Sequence, residues 1–235
     1  MRFRLEPDGG SLVTVPEIVV VGGYTGRDRK AVAAHILELE ALGVPAPATA
    51  PAFYAVSPHL LIQADRLVTT EAETSGEAEA ALVVHGGDVY VAVASDHTDR
   101  SAERYDIAVS KRACPKVVGD TVWRLGDIGD RWDDLELRSW IGADGDLPYQ
   151  HGVLGTLLPP GELLDAVPWR NRPSSYVVLC GTLPTMLGIQ PSPRFRGELH
   201  DGATGRRLSL DYRVETLDQL GPAPDDDLLA TAPAG

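Results

Sequence analysis

Between Gly76 and Arg100 the chain spells out a hairpin, and that stretch limits the fold more than any other. Ala80–Val84 and Val89–Val93 are short, apolar and rich in β-branched residues. Gly86, Gly87 and Asp88 lie between them, and glycine reaches the positive φ of a tight reversal at little steric cost. Side chains alternate along a strand, so Glu77 and Glu79 point the same way. Asp96 follows the return strand and is brought back beside them. Two carboxylates about 6–7 Å apart on one face repel each other, and a cation between them relieves that repulsion. Hard oxygen donors at such spacing suit magnesium, manganese or calcium better than zinc. The competing possibility is a solvated acidic strand face.

Further strands are expected at Ile18–Val21, Arg66–Thr69, 107–109, 135–141, 176–180 and 208–214, with Pro and Gly clusters between them. Helical periodicity is confined to 28–42 and 160–166. This predicts an α+β, mostly β chain whose sheet rolls or closes, with an N-terminal strand-helix cap, rather than a βαβ fold. Three segments are expected. Residues 1–65 form a strand-helix segment and possible lid, 66–221 the β-roll, and 222–235 a flexible tail of Ala, Pro and Asp with little to bury. In the early helix Val32, Ile36 and Leu39 share a stripe; Gly43 closes it, and Pro45 and Pro47 forbid continuation. The preceding Gly22–Gly26 turn fits neither nucleotide-loop glycine pattern.

The formal net charge of −13 argues against nucleic acid or an anionic membrane as partner, since both need basic surface. A small anionic substrate then needs local cations. The two cysteines make neither metal spacing nor a disulfide framework. No signal peptide or long apolar run is visible, and a cytoplasmic location is expected.

Several polar residues stand out. His35 and Glu38 share a helix face and would make a general-base pair, or an ordinary surface i,i+3 pair. Arg27 would clamp a substrate carboxylate or simply balance surface charge. Lys111 offers a point charge for a carboxylate or enolate, with Lys116 as its rival. Gln150 would orient substrate. Gly181 lets backbone approach a ligand and Thr182 adds a hydroxyl. His97 and Asp99 alternate with Asp96 and Thr98 and are expected to form a structural hydrogen-bonded pair.

These motifs, in this order, resemble the fumarylacetoacetate hydrolase superfamily over about residues 16–215. The resemblance rests on Glu77-x-Glu79 before an apolar strand, then Asp96-x-Thr98-x-Arg100. Ser110-Lys111 with Cys114-Pro115, Leu135–Ile141 with Gln150, and Cys180-Gly-Thr-Leu-Pro184 follow. It is closest in form to a little-characterised bacterial branch. The family's Asp after the Arg is Ser101 here, and its loop lysine before the barrel is missing. The resemblance implies that Glu77, Glu79 and Asp96 hold magnesium or manganese. It also implies that His35 and Glu38 match a His-x-x-Glu pair which, in some members, closes over the metal and positions water. The implied activity is hydrolysis of C–C bonds in 2-oxo or 1,3-dioxo acids through a metal-stabilised enolate. Oxaloacetate-type decarboxylation, hydration and isomerisation are the alternatives within the superfamily. A non-catalytic ligand-binding protein is the alternative outside enzymes. A homodimer is expected on the same ground.

Overall fold

The computed structural model describes residues 1–41 and 45–221, with the side chain of Leu39 outside the description. The expected close of the early helix at Leu42 and Gly43, and the expected tail from Pro222 to Gly235, lie outside the described residues. Among these residues the larger sheet has ten strands. Eight run in the spatial order Ser11–Val13, Arg2–Glu6, Thr121–Arg124, Asp88–Ser95, Ala78–His85, Ser175–Thr182, Ile18–Gly23, Ala52–Val56. Lys116–Val118 extends the path along Asp88–Ser95 and pairs with Leu61–Ile62. A second, five-stranded sheet runs Leu147–Val153, Glu136–Ile141, Arg194–Asp201, Arg206–Thr216, Arg66–Thr69.

The central hairpin is as expected, with Gly86 and Gly87 both at positive φ and register Ala78↔Ser95 to His85↔Asp88. Its two faces do different jobs. Ala80, Leu82, Val84, Val91 and Val93 pack against Leu137, Ile141, Phe195, Leu199 and Leu210 of the second sheet. Ala81, Val83, Tyr90, Ala92 and Ala94 pack against Phe3, Val19, Val21, Val56, Val177 and Leu179, all from strands of the large sheet itself. A sheet that buries one face only on its own strands must curl around that face, and the outcome is the mostly β, rolled α+β architecture expected.

One expectation changes. Residues 107–109 are not a strand but the start of helix Ile107–Ala113, because the Asp106 side chain caps it by accepting from the Val109 amide at 3.0 Å. The first 65 residues supply five strands to the large sheet, and Ile18–Gly23 lies between Ser175–Thr182 and Ala52–Val56. Helix Arg29–Ala41 does form, with the Asp28 carboxylate accepting from the Lys30 and Ala31 amides at 2.9 and 3.1 Å. It lies at the surface; Val32 and Ile36 are half-buried and Leu37 is exposed. No helix among the described residues is long and apolar enough to cross a membrane.

Candidate active site

The hairpin's open end gathers the acidic residues. The Asp96 amide donates to the Glu77 carbonyl at 2.9 Å, fixing the two residues side by side. Glu77, Glu79 and Asp96 share the strand parity of Ala81, Ala92 and Ala94, so all three head for the inner face of the curl. Glu79 is buried, and its carboxylate accepts from the Gly181 amide at 2.7 Å. Burial, then the nearby Asp96 charge, push the Glu79 carboxyl well above the usual range. Gly181 has φ +92°, and a Cβ there would stand 2.1 Å from Thr25 Oγ1, so only glycine brings this amide to Glu79.

The chain contains three lysines, and two of them end here. Lys111, from the last turn of helix Ile107–Ala113, places Nζ 2.6 Å from Asp96, 3.1 Å from Thr98 Oγ1 and 3.5 Å from Glu77. Lys116 is fully buried, 2.9 Å from the other Asp96 oxygen, and also donates to the His97 carbonyl. Burial alone would raise the Asp96 carboxyl, but Lys111 and Lys116 outweigh it and hold Asp96 below the carboxylate range. Burial likewise works against the Lys111 ammonium, and Asp96 and Glu77 more than compensate. Arg100 adds a third cation. It donates to Ser75 Oγ at 2.7 Å and to Glu103 at 2.7 Å, and lies 3.2 Å from Glu77.

Two tyrosines flank the cluster. Tyr24 holds φ 57°, a strained position for a bulky residue, and its hydroxyl is pushed up by burial and then by Glu103. Tyr54 is pushed up to about 12, by burial first and Tyr24 second. A cavity of about 320 Å³ opens beside Tyr54, lined also by Pro47, Tyr105, Asp106 and Ile107.

The remaining candidates fall elsewhere. His35 and Glu38 pair at 3.7 Å with side chains 60% and 75% exposed; the imidazole centroid is 6.4 Å from the Tyr24 ring, so the pair stands at the rim. Arg27 is not a free clamp: its guanidinium pairs bidentately with Asp133 and donates to the Leu157 carbonyl at 2.6 Å. Gln150 is a buried tie. Its oxygen accepts from the Ala78 amide and Ser139 Oγ, and its nitrogen donates to Thr182 Oγ1 and the Leu183 carbonyl, which uses every bond it can make in its plane. Thr182 spends its own proton on the Ala78 carbonyl at 2.8 Å. His97 and Asp99 are structural but not paired: His97 bridges Tyr212 and Thr74, each at 2.9 Å, while Asp99 caps helix Arg100–Glu103. Glu103, Tyr24 and Tyr54 were not singled out from the sequence. Glu103 alone left a signal, three residues after Arg100.

Burial, with Lys116 second, depresses the His97 imidazole to about 3. Its unfolded value lies near 6.5, so the unfolded chain takes up a proton first as pH falls. The stability His97 contributes is therefore present above about pH 6.5 and lost toward pH 3. Urea denaturation is expected to show a loss of about 2 kcal/mol between pH 7 and 5 from this group, and a His97→Gln chain should lack that component.

The donor chemistry fits a hard divalent cation. Three carboxylates are gathered at one end of the hairpin, where the Asp96 and Glu77 charges add to burial in pushing Glu79 up. As the side chains stand, no three His, Cys, Asp or Glu residues among those described form a ready metal cage. Lys111 lies in the gap instead.

Residues 22–212 match the model of DUF2848, a protein family of unknown function. The chain belongs to the DUF2848 family. No curated protein sequence matches it significantly. Among solved structures, this DUF2848 chain is similar to 2-keto-3-deoxy-D-arabinonate dehydratase complexed with magnesium and 2,5-dioxopentanoate. The TM-score is 0.62 at 17% identity, covering 86% of this chain and 74% of that one. It is also similar to an uncharacterized protein from Mycobacterium abscessus, with TM-score 0.63 at 18% identity over 89% and 82% of the two chains. At these identities the likeness is one of fold.

Proposed function

We propose that this DUF2848 protein is a metal-dependent enzyme of the fumarylacetoacetate hydrolase type acting on small anionic 2-oxo or 1,3-dioxo acids. The observation that carries the reading is the convergence of Glu77, Glu79 and Asp96 with Lys111 at the hairpin's open end. Those three carboxylates would hold magnesium or manganese, with calcium also compatible. A divalent ion there would supply Lewis-acid stabilisation for negative charge developing on the substrate oxygens. Lys111 and Arg100 would draw in and hold the substrate carboxylate, and Tyr24 and Tyr54 would wall off water.

Two reactions compete. C–C bond hydrolysis requires activated water, and His35 with Glu38 would activate it only by moving inward from the rim. Loss of water or carbon dioxide from a 2-oxo acid needs no such step. The exposure of His35 and Glu38, and the fold shared with a magnesium-bound dehydratase, favour this second reading. The two are separated by turnover assays on acylpyruvates, oxaloacetate and 2-keto-3-deoxy sugar acids. Glu79→Gln is expected to abolish manganese binding and turnover together. His35→Ala should keep stability within about 0.5 kcal/mol of wild type, and it should lower turnover only if hydrolysis is the reaction. Manganese binding with no turnover of any 2-oxo acid would leave a ligand-binding protein, a reading that Ser101, bonded to Glu73 in place of the family's Asp, also suits.

A homodimer is part of this proposal. Leu147, Met186, Leu187 and Ile189 are exposed, and the Met186 amide ties their loop to the edge strand Leu147–Val153. Light scattering on the full chain should give twice the 25.1 kDa chain mass.

A further inference from the structure

The Lys111 ammonium sits where a cation belongs. Its Nζ lies 2.6 Å from Asp96 and 3.5 Å from Glu77, and its charge also bears on Glu79. Lys116 is pinned inside, wholly buried between Asp96 and the His97 carbonyl. Lys111 differs. It lies in the last turn of a short helix and has a third carboxylate within reach, the partly exposed Glu103, at 3.9 Å. Glu103 is itself anchored by Arg100 at 2.7 Å, and its side chain is 21% exposed. We propose that the Lys111 ammonium and a divalent cation compete for the same carboxylate oxygens, and that Glu103 receives the ammonium when it yields. The inference rests on the metal-binding reading above and adds an internal competitor to it.

The test is manganese binding to the full chain, followed by electron paramagnetic resonance of the free ion. Lys111→Met is expected to bind manganese about tenfold more tightly than wild type, since a like charge at contact range is removed from a buried site. Glu103→Gln should weaken binding severalfold in wild type and have no effect in Lys111→Met, because its role depends on the lysine. Should Lys111→Met fail to fold, nitrogen-15 NMR of the lysine side chains gives the same answer in wild type. With only Lys30, Lys111 and Lys116 to assign, a magnesium titration should shift Lys111 most and leave Lys30 unmoved. The exchange is overturned if manganese binds wild type and Lys111→Met equally, if Glu103→Gln weakens both alike, or if the Lys111 signal stays fixed as magnesium binds. If neither ion binds any variant, the metal reading fails and the exchange with it.

Discussion

Replacing Asp96 by Asn is expected to destabilise the fold by about 3–5 kcal/mol, the range for removing one partner of a buried ion pair. Asn keeps the shape and removes the charge. Lys116, with no exposed side-chain surface, then has no counter-ion where it lies, and Lys111 keeps only Glu77 and the more distant Glu103. The amide also turns an N–H group toward an ammonium. Urea denaturation at pH 7 measures the loss. Arg4–Asp120 is the control, because both side chains are more than 60% exposed. Asp120→Asn should change stability by less than about 1 kcal/mol, as exposed pairs do. Equal losses for the two variants would mean that the cluster is solvated and would remove the ground for reading it as a low-dielectric site.

Gly181→Ala is expected to lose about 3 kcal/mol or more. Two mechanisms add: a non-glycine residue held at φ +92° costs about 1–3 kcal/mol, and overpacking of a filled site costs a similar amount. The overpacking is concrete, because the new methyl would stand 2.1 Å from Thr25 Oγ1, itself fixed by donating to the Cys180 carbonyl. Thr25→Ala in the same chain should recover the steric share and leave the backbone share. The functional readout differs. Any backbone shift pulls the Gly181 amide off the Glu79 carboxylate, so manganese binding should weaken in Gly181→Ala and stay weak in the double variant. Full recovery of both stability and binding by Thr25→Ala would show that the positive φ is not required.

The parts legible in the sequence were those whose cause is local. The hairpin declared itself because both arms are apolar and a two-glycine reversal joins them. Arg66–Thr69 and Pro160–Ala166 fell where expected for the same reason. Strand Leu147–Val153 gave no sign, since it lies at a sheet edge, where Pro148, Gln150 and Gly152 are tolerated. Arg194–Asp201 alternates buried and exposed residues faithfully, but Gly197 and Asp201 occupy inward positions and blur the pattern. The site divides in the same way. The spacing of Glu77, Glu79 and Asp96 carries their common direction. The fates of Arg27 and Gln150 depend on Asp133, Ala78 and Leu183, partners 33 to 106 positions away that no local pattern marks.

The interleaving of early and late strands bears on how the molecule comes off the ribosome. Arg2–Glu6 has no parallel neighbour until Thr121–Arg124 has been made, and Ile18–Gly23 waits for Ser175–Thr182. From the completion of Ser95 until Ser175–Thr182 is made, the apolar hairpin therefore keeps an open edge along Ala78–His85, the circumstance that invites misassociation and chaperone capture. Maturation is a late event for this polypeptide, and pulse-chase protease resistance should appear only after nearly the whole sheet has emerged.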